Sequence, residues 1–351
     1  NKFEEKIKVI TGAKYAIACI NATSALQISI LLSGAKNGDE IIVPTTTFIA
    51  PINAVIYNNC SPIFMDTDEF HNIDEEKTIQ FIKEETEYKK GHTYNKRTKK
   101  IIRSIIVVHV WGNAARIKSL LKICKERNIK VIEDASEGLG TFYKSNYLNA
   151  KHVGTLGFVG CISFNANKII TSGGGGVILT NNKALADKAY YLISQAKNNQ
   201  IYYIHNEVGY NLKLTNLHAA LGLAQLENLE LFLRKRSEIK DSYKSKLEKF
   251  KNFKILDNPN YSKNNNWLTI LKFNTSVISI RRLTKLMIKR NIQVRPIWKL
   301  NHLQKPFKHF QAYKIKNAYK NYRSCLCLPS GHHLKEDEIK KIIKVLKYVS
   351  K

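Results

Sequence analysis

The sequence predicts an α/β protein with a large domain on a mostly parallel sheet, helices on both faces, and a small α+β C-terminal domain. Two observations carry that prediction. Short apolar, β-branched runs at Glu40–Pro44, Ser61–Met65, 105–110 and 130–133 alternate with stretches of helical length, and strand–helix alternation is the pattern of parallel sheets. Beyond residue 216 the alternation gives way to a long helical stretch and then to mixed strands and helices.

Residues 21–32, NATSALQISILL, place a capping residue before apolar positions at helical spacing, and Gly34 stops the helix. The start of this helix offers unpaired N–H groups and a positive dipole end, a natural place for a phosphate, although an ordinary N-cap has the same residues. Glu40–Pro44 reads as a buried strand, 45–57 as a turn into a helix, and Ser61–Met65 as a strand ending at Asp66. The polar, lysine-rich segment 71–100 reads as a solvated helix and loop. A strand at 105–110 leads into Trp111 and Gly112, 117–127 is an amphipathic helix, and the strand 130–133 delivers Asp134. Gly176–Thr180 adds a strand, 183–195 a helix, and 196–216 a polar and aromatic loop. From Asn216 a helical pattern runs to Phe250 with a break near Glu230, and the domain boundary is placed along it, giving 1–235 and 236–351. Strands around 268–273 and helices near 281–290 and 336–349 complete the small domain.

Composition excludes several classes. The 351 residues are 44% hydrophobic, which suits a globular protein with a sizeable core. No run approaches the roughly 20 apolar residues that span a bilayer, and no basic-then-apolar leader opens the chain. The six cysteines lack C-x-x-C spacing and sit mostly in apolar runs, as reduced thiols of a cytoplasmic protein do. Cys325 and Cys327 alternate on what reads as a strand. The formal charge of +29 raises the question of a nucleic-acid partner. The lysines are spread along the chain without a basic tail, so no nucleic acid and no membrane are expected as partners. A positive surface does favour an anionic substrate.

The chemistry concentrates in 161–177, CISFNANKIITSGGGGV, where Lys168 lies between a β-type run and four glycines. Upstream, 131–140 reads VIEDASEGLG, an apolar run ending in Glu133 and Asp134. A residue at the C-terminal end of such a strand faces the ligand crevice of an α/β sheet. A crevice carboxylate beside a crevice lysine is what pyridoxal phosphate requires, one for the ring nitrogen and one for the aldehyde. Rival signals are poor. The glycines are not followed by G-K-[ST], no G-x-G-x-x-G follows the first strand, and His332-His333 lacks metal-ligand company, so no metal is expected.

These segments resemble the DegT/StrS-type (DegT/DnrJ/EryC/StrS) nucleotide-sugar aminotransferases, and within them the LegC-like branch. EDASEGLG and SFNANKIITSGGGG carry the resemblance, with TFIAPINAV, VHVWGN, HNEVGYNLKLTNLHAALGLAQLE and VRPIW in unchanged order. It covers residues 3 to 330. Family members usually carry roughly thirty more residues before this point, so a shortened N-terminus is expected. Where the family often has a proline and an acidic residue after the tryptophan–glycine pair, this chain has Asn113, Ala114, Ala115 and Arg116.

The resemblance implies a fold-type-I pyridoxal 5′-phosphate enzyme in which Lys168 is catalytic, holding the cofactor and then moving protons. It implies Asp134 at the pyridine nitrogen, Glu137 near the phenolic oxygen, Phe48 against the ring, and Thr23, Ser24 and Ser163 around the phosphate. Asn165 and Asn167 flank the lysine and close its turn. Asn211 or Lys213, the latter where an arginine is usual, would reach the phosphate of a neighbouring chain in a homodimer with shared sites. His205, Arg295, Trp298 and His302 are substrate-side candidates, with core packing an equal explanation for Trp298. The implied reaction moves an amino group, with glutamate as donor, to the 4-keto carbon of a nucleotide-linked 6-deoxy sugar, a UDP-2-acetamido-4-keto-2,6-dideoxyhexose, for surface glycans. GDP- and dTDP-sugars are alternatives. So is a sugar dehydratase, although relatives of that kind carry histidine where Lys168 stands. A regulatory, nucleic-acid-binding protein on the same fold is the non-enzyme alternative.

Overall fold

The structure, a computed structural model, describes residues 2–199 and 201–350. Its main sheet has eight strands among the described residues, in the order Tyr15–Cys19, Gly176–Thr180, Val159–Ser163, Lys130–Asp134, Ile102–Val108, Glu40–Pro44, Ser61–Met65 and Ala312–Tyr313. Only Gly176–Thr180 runs against the others. The chain is therefore α/β with a mostly parallel sheet, as expected. Glu40–Pro44, Val159–Ser163 and Gly176–Thr180 are buried at every residue, which is why they read as unbroken apolar runs rather than alternating ones. Because seven strands share a direction, Cys19, Pro44, Val108, Asp134 and Ser163 all end at one edge, where the loops of the site converge.

Successive side chains of a strand point to opposite faces, and at the end of Lys130–Asp134 this separates two carboxylates. Glu133 is fully buried and accepts N–H groups from Gly154 (2.8 Å), Leu156 (2.7 Å) and Gly157 (2.6 Å), with His109 Nε2 at 3.1 Å. It ties the loop before Val159–Ser163 to the sheet. Its neighbour Asp134 faces the cleft.

A second hydrophobic core gathers Ile239, Tyr243 and Leu247 with Leu283, Met287, Ile342 and Leu346. Against it lies an antiparallel sheet in the order Phe253–Ile255, Thr269–Phe273, Cys325–Leu328 and Arg295–Pro296. The long helical stretch is broken between Asn216–Leu226 and Leu229–Leu247. We place the division between the units within the second of these helices, near 235/236, because the second core begins at Ile239. The later part of the chain also returns to the first unit. Ala312–Tyr313 extends the main sheet, and Asp66 accepts the N–H groups of Lys316, Asn317 and Ala318 (each 2.9 Å) at the start of helix Asn317–Ser324.

Three local expectations are corrected. Within 71–100, helix Glu75–Glu84 is followed by an antiparallel ribbon, Thr86–Lys89 with His92–Asn95, rather than by loop. The residues this ribbon buries include Thr86, Thr93 and Asn95, so no apolar alternation marked it. Within 196–216, Lys197–Asn199 pairs with Ile204–His205. The strand expected at 105–110 is Ile102–Val108, and Val110–Gly112 forms a 3-10 turn with Trp111 at φ 61°.

Burial alone would raise the Glu133 pKa, but the bonds from His109, Gly157 and Gly154 outweigh it and hold the carboxyl below its ordinary value. A depressed folded pKa contributes stability that is present above the unfolded pKa and lost as pH falls through the folded one. Glu133→Ala is therefore expected to lower unfolding stability by about 3 kcal/mol at neutral pH, since one buried and two half-buried backbone donors and the buried His109 lose their acceptor. Urea titrations at pH 7 and below pH 4 check this, with the difference between variant and wild type shrinking at the acidic end.

Candidate active site

A cleft of about 280 Å³ opens at the shared strand edge, lined by Thr23, Phe48, Asp134, Glu137, Ser163, Lys168, Trp267 and Trp298 among others. They come from six sequence segments, with Asp134 and Glu137 sharing one and Ser163 and Lys168 another. Strand Val159–Ser163 ends at Ser163, 7% exposed, and the turn that follows carries Lys168, whose backbone N–H bonds Asn165 O at 3.0 Å. Gly173 and Gly175, at φ 81° and 130°, then return the chain to Gly176–Thr180. The glycine run serves that reversal, since these dihedrals are unfavourable for other residues. The Lys168 side chain is 13% exposed, with Nζ 3.5 Å from Glu137 Oε1 and 4.1 Å from the Trp267 ring centroid.

Glu137 is 5% exposed. Its Oε2 accepts the N–H of Trp111 at 2.8 Å, so the left-handed turn at Trp111 aims a backbone donor at the carboxylate. Burial pushes the Glu137 pKa up to about 7; Lys168 and the Trp111 N–H act against that rise, and Asp134 adds to it. Asp134 is 3% exposed and accepts the Ser136 N–H at 3.0 Å. Burial raises its pKa as well, incompletely offset by Ser136 and Lys168. Two buried carboxyls with raised pKa values beside one lysine make this cleft the candidate reaction centre.

At the opposite wall helix Ala22–Leu32 begins. Asn21 caps it through Ser24 N at 2.8 Å, while the first-turn N–H groups of Ala22 and Thr23 have no intrahelical acceptor. Strand Gly176–Thr180 presses against this start so closely that a Cβ on Gly176 would fall 2.5 Å from Asn21 C. Trp298 stacks on Trp111 with centroids 4.1 Å apart and planes 26° from parallel, and Phe48, 55% exposed, stands 6.2 Å from it across the mouth.

The other sequence candidates lie outside this cleft. Asn211 bridges to Ser194, and Lys213 bonds Tyr190 OH at 2.9 Å beside Cys19; both are exposed. His205 is exposed and bonds Gln195 O at 2.8 Å. Arg295 is exposed and donates to its own neighbour, Val294 O. His302 has both ring nitrogens engaged, by Thr45 Oγ1 at 2.6 Å and Tyr319 OH at 3.0 Å. Arg116 pairs with Glu69 at 3.3 Å and lies over Tyr261, away from Lys168. Sequence reasoning missed Asn265 and Trp267. They belong to a stretch, NNNW, with no periodicity to mark it.

The donors fit pyridoxal phosphate. A helix start and Ser163 suit its phosphate, a buried carboxyl bonded only by Ser136 among the described residues suits its ring nitrogen, and a sheltered amine suits its aldehyde. With this sheet and this cleft the molecule is a pyridoxal phosphate-dependent enzyme of the α/β, fold-type-I kind. The chain belongs to the DegT/DnrJ/EryC1/StrS aminotransferase family, whose pattern matches residues 1–347. Among curated relatives, EpsN of Bacillus subtilis is 32% identical over 99% of this chain and 86% of its own length. A GDP-perosamine synthase of Escherichia coli O157:H7 is 37% identical over 70% of this chain and 62% of its own length. The UDP-4-amino-4,6-dideoxy-N-acetyl-beta-L-altrosamine transaminase of Campylobacter jejuni (strain 81-176) is 31% identical over 94% and 84%. Of solved structures, a DegT DnrJ EryC1 StrS aminotransferase from Brucella abortus superposes with TM-score 0.86 at 25% identity, covering 99% of this chain and 89% of that one. Helicobacter pylori PseC shares the fold, with TM-score 0.87 at 24% identity over 99% and 90%.

A carboxyl whose folded pKa lies near 7, above its ordinary value of 4.5, binds a proton on folding, so it lowers stability as pH rises from about 4.5 to 7. Glu137→Gln is expected to remove that decline. Thermal melts of the two proteins across this window, without cofactor, check it; equal slopes would place the Glu137 pKa at its ordinary value.

Proposed function

We propose that the protein transfers an amino group from glutamate to the 4-keto carbon of UDP-2-acetamido-4-keto-2,6-dideoxyhexose, giving a 4-amino-4,6-dideoxy sugar for surface glycans. Glutamate leaves as 2-oxoglutarate, taking its new carbonyl oxygen from one water, and the sugar's carbonyl oxygen leaves as another, so no net water is formed or consumed. The observation that carries this reading is the lysine amine of Lys168, 3.5 Å from Glu137 in the cleft that Asp134 also lines. When bound, pyridoxal phosphate supplies the electron sink that lets nitrogen pass between two carbonyl carbons.

The chain's own residues then have distinct tasks. Lys168 holds the aldehyde end and afterwards carries the proton to and from the donor's α-carbon. Glu137, with a pKa near neutrality, exchanges a proton with that amine and fixes its direction of approach. Asp134 balances positive charge at the ring nitrogen, and Thr23, Ser24 and Ser163 receive the phosphate. Phe48 and Trp298 close the mouth with apolar faces, Trp298 against the sugar. Asn211, Lys213 and His205 lie on an exposed face with Ile201, Tyr202, Tyr203, Val208 and Leu217. Apolar exposure of that extent supports a homodimer in which this face meets the partner's cleft. Arg295 is exposed and available to a diphosphate, whereas His302 is assigned to packing. Six unpaired thiols and the absence of a helix long and apolar enough to cross a membrane, among the described residues, support a cytoplasmic setting.

GDP-linked sugars form the second reading, supported by the similarity to a GDP-perosamine synthase. Purified protein with cofactor and glutamate is to be offered UDP-, GDP- and dTDP-linked 4-keto-6-deoxy sugars, and 2-oxoglutarate and amino sugar measured. Turnover is expected with the UDP substrate, with roughly 10³-fold or greater loss in Lys168→Ala, since the nucleophile and proton carrier are one group. Preference for the GDP sugar would replace the substrate assignment. Sugar dehydration without amino transfer would overturn the reaction.

A further inference from the structure

Arg236 is buried, 6% exposed, and makes no ion pair among the described residues. Burial lowers its pKa to about 10. A guanidinium is costly to bury without a counter-charge, so its contacts need an explanation. Its Nη1 donates to Trp267 O at 2.7 Å and to Ser330 O at 2.8 Å. Trp267 N–H in turn reaches Asn265 Oδ1 at 3.0 Å, and Trp267 Nε1 donates to Asn167 O at 2.8 Å, beside Lys168. Asn265 is itself fastened to the first unit, its Nδ2 donating to Glu137 O at 2.6 Å and Leu139 O at 2.8 Å. It sits where Gly112 leaves room, since a Cβ there would fall 1.9 Å from Asn265 Oδ1.

Every polar group of Trp267 is thus held, and its 4%-exposed ring presents a face 4.1 Å from Lys168 Nζ. The negative face of an indole attracts a cation and is the strongest of the aromatic faces in this respect. We infer that Trp267, mounted by Arg236 and Asn265, is a positioning residue for the Lys168 amine. It cradles the ammonium between its ring and Glu137 whenever the lysine is free of the cofactor, and through Asn167 it fixes the turn the lysine rides on. The catalytic lysine is therefore seated by a segment following helix Leu229–Leu247 as well as by its own strand.

The inference rests on the aminotransferase reading only through Lys168, and its test uses no donor and no sugar. Full-length protein is loaded with pyridoxamine 5′-phosphate, which has no aldehyde and leaves Lys168 free. It is then exposed to an amine-reactive acyl ester at fixed pH, and the rate of Lys168 acylation is followed by peptide mass mapping. Trp267→Leu is expected to accelerate acylation by roughly 3- to 30-fold, the range a cation–π contact spans from exposed to desolvated sites. Trp267→Phe, which keeps an aromatic face but loses Nε1–H, is expected to stay within about 3-fold of wild type. Melting temperatures of both variants establish that each is folded. Equal acylation in wild type and a folded Trp267→Leu overturns the inference. So does a Phe variant that accelerates as much as Leu, because the Nε1 bond and not the ring would then hold the lysine.

Discussion

The site depends on how one strand end treats two adjacent carboxylates. A strand alternates its side chains, so Glu133 and Asp134, neighbours in sequence, cannot enter the same environment. Glu133 is surrounded by three backbone donors and a histidine, which keep its charge and lash the 154–157 loop to the sheet. Among the described residues Asp134 is bonded by Ser136 alone, leaving a buried carboxyl oriented to the cleft. We propose that a cofactor ring nitrogen bound there would supply the hydrogen bond that folding left out. A one-residue slip of this strand would exchange the two roles and leave a buried acid on each side without its partners.

Around that pair the molecule assembles its chemistry from elements of different kinds. The parallel strands supply position, the helix start supplies unpaired donors, and the left-handed turn at Trp111 directs a backbone N–H at Glu137. Lys168 stands where these meet, its amine placed by Glu137 on one side and an aromatic ring on the other. The turn stores unfavourable backbone geometry, and the Trp111 indole offsets it by stacking on Trp298 and bonding His71 Nδ1 at 2.8 Å. The formal charge of +29 is of the sign that attracts a phosphate-bearing cofactor and the anionic substrate we propose.

Much of this was legible before the structure. Lys168 and Asp134 announced themselves because each follows a strand-like run and precedes turn chemistry, and the alternating elements gave the sheet class. The burial of Glu137 was not legible, since a glutamate after a strand end reads as a solvated helix start until Trp111 and Asn265 close over it. Trp267 was invisible for a different reason. Its role arises from packing between distant segments, and three asparagines and a tryptophan carry no period. The ribbon at 86–95 escaped because its buried side includes polar residues, and Ala312–Tyr313 because two residues joining a sheet from afar leave no local signal. His302 and Arg295 were suggested by resemblance alone, and neither faces the cleft of its own chain.

The claim at the centre is that Lys168, among the many lysines of this basic chain, is the one that takes the cofactor. Borohydride reduction of the pyridoxal phosphate-loaded protein, followed by proteolysis and mass mapping, tests it most directly. One stoichiometric phosphopyridoxyl modification is expected, on the peptide containing Lys168. Stoichiometric modification of any other lysine, with Lys168 untouched, would contradict it.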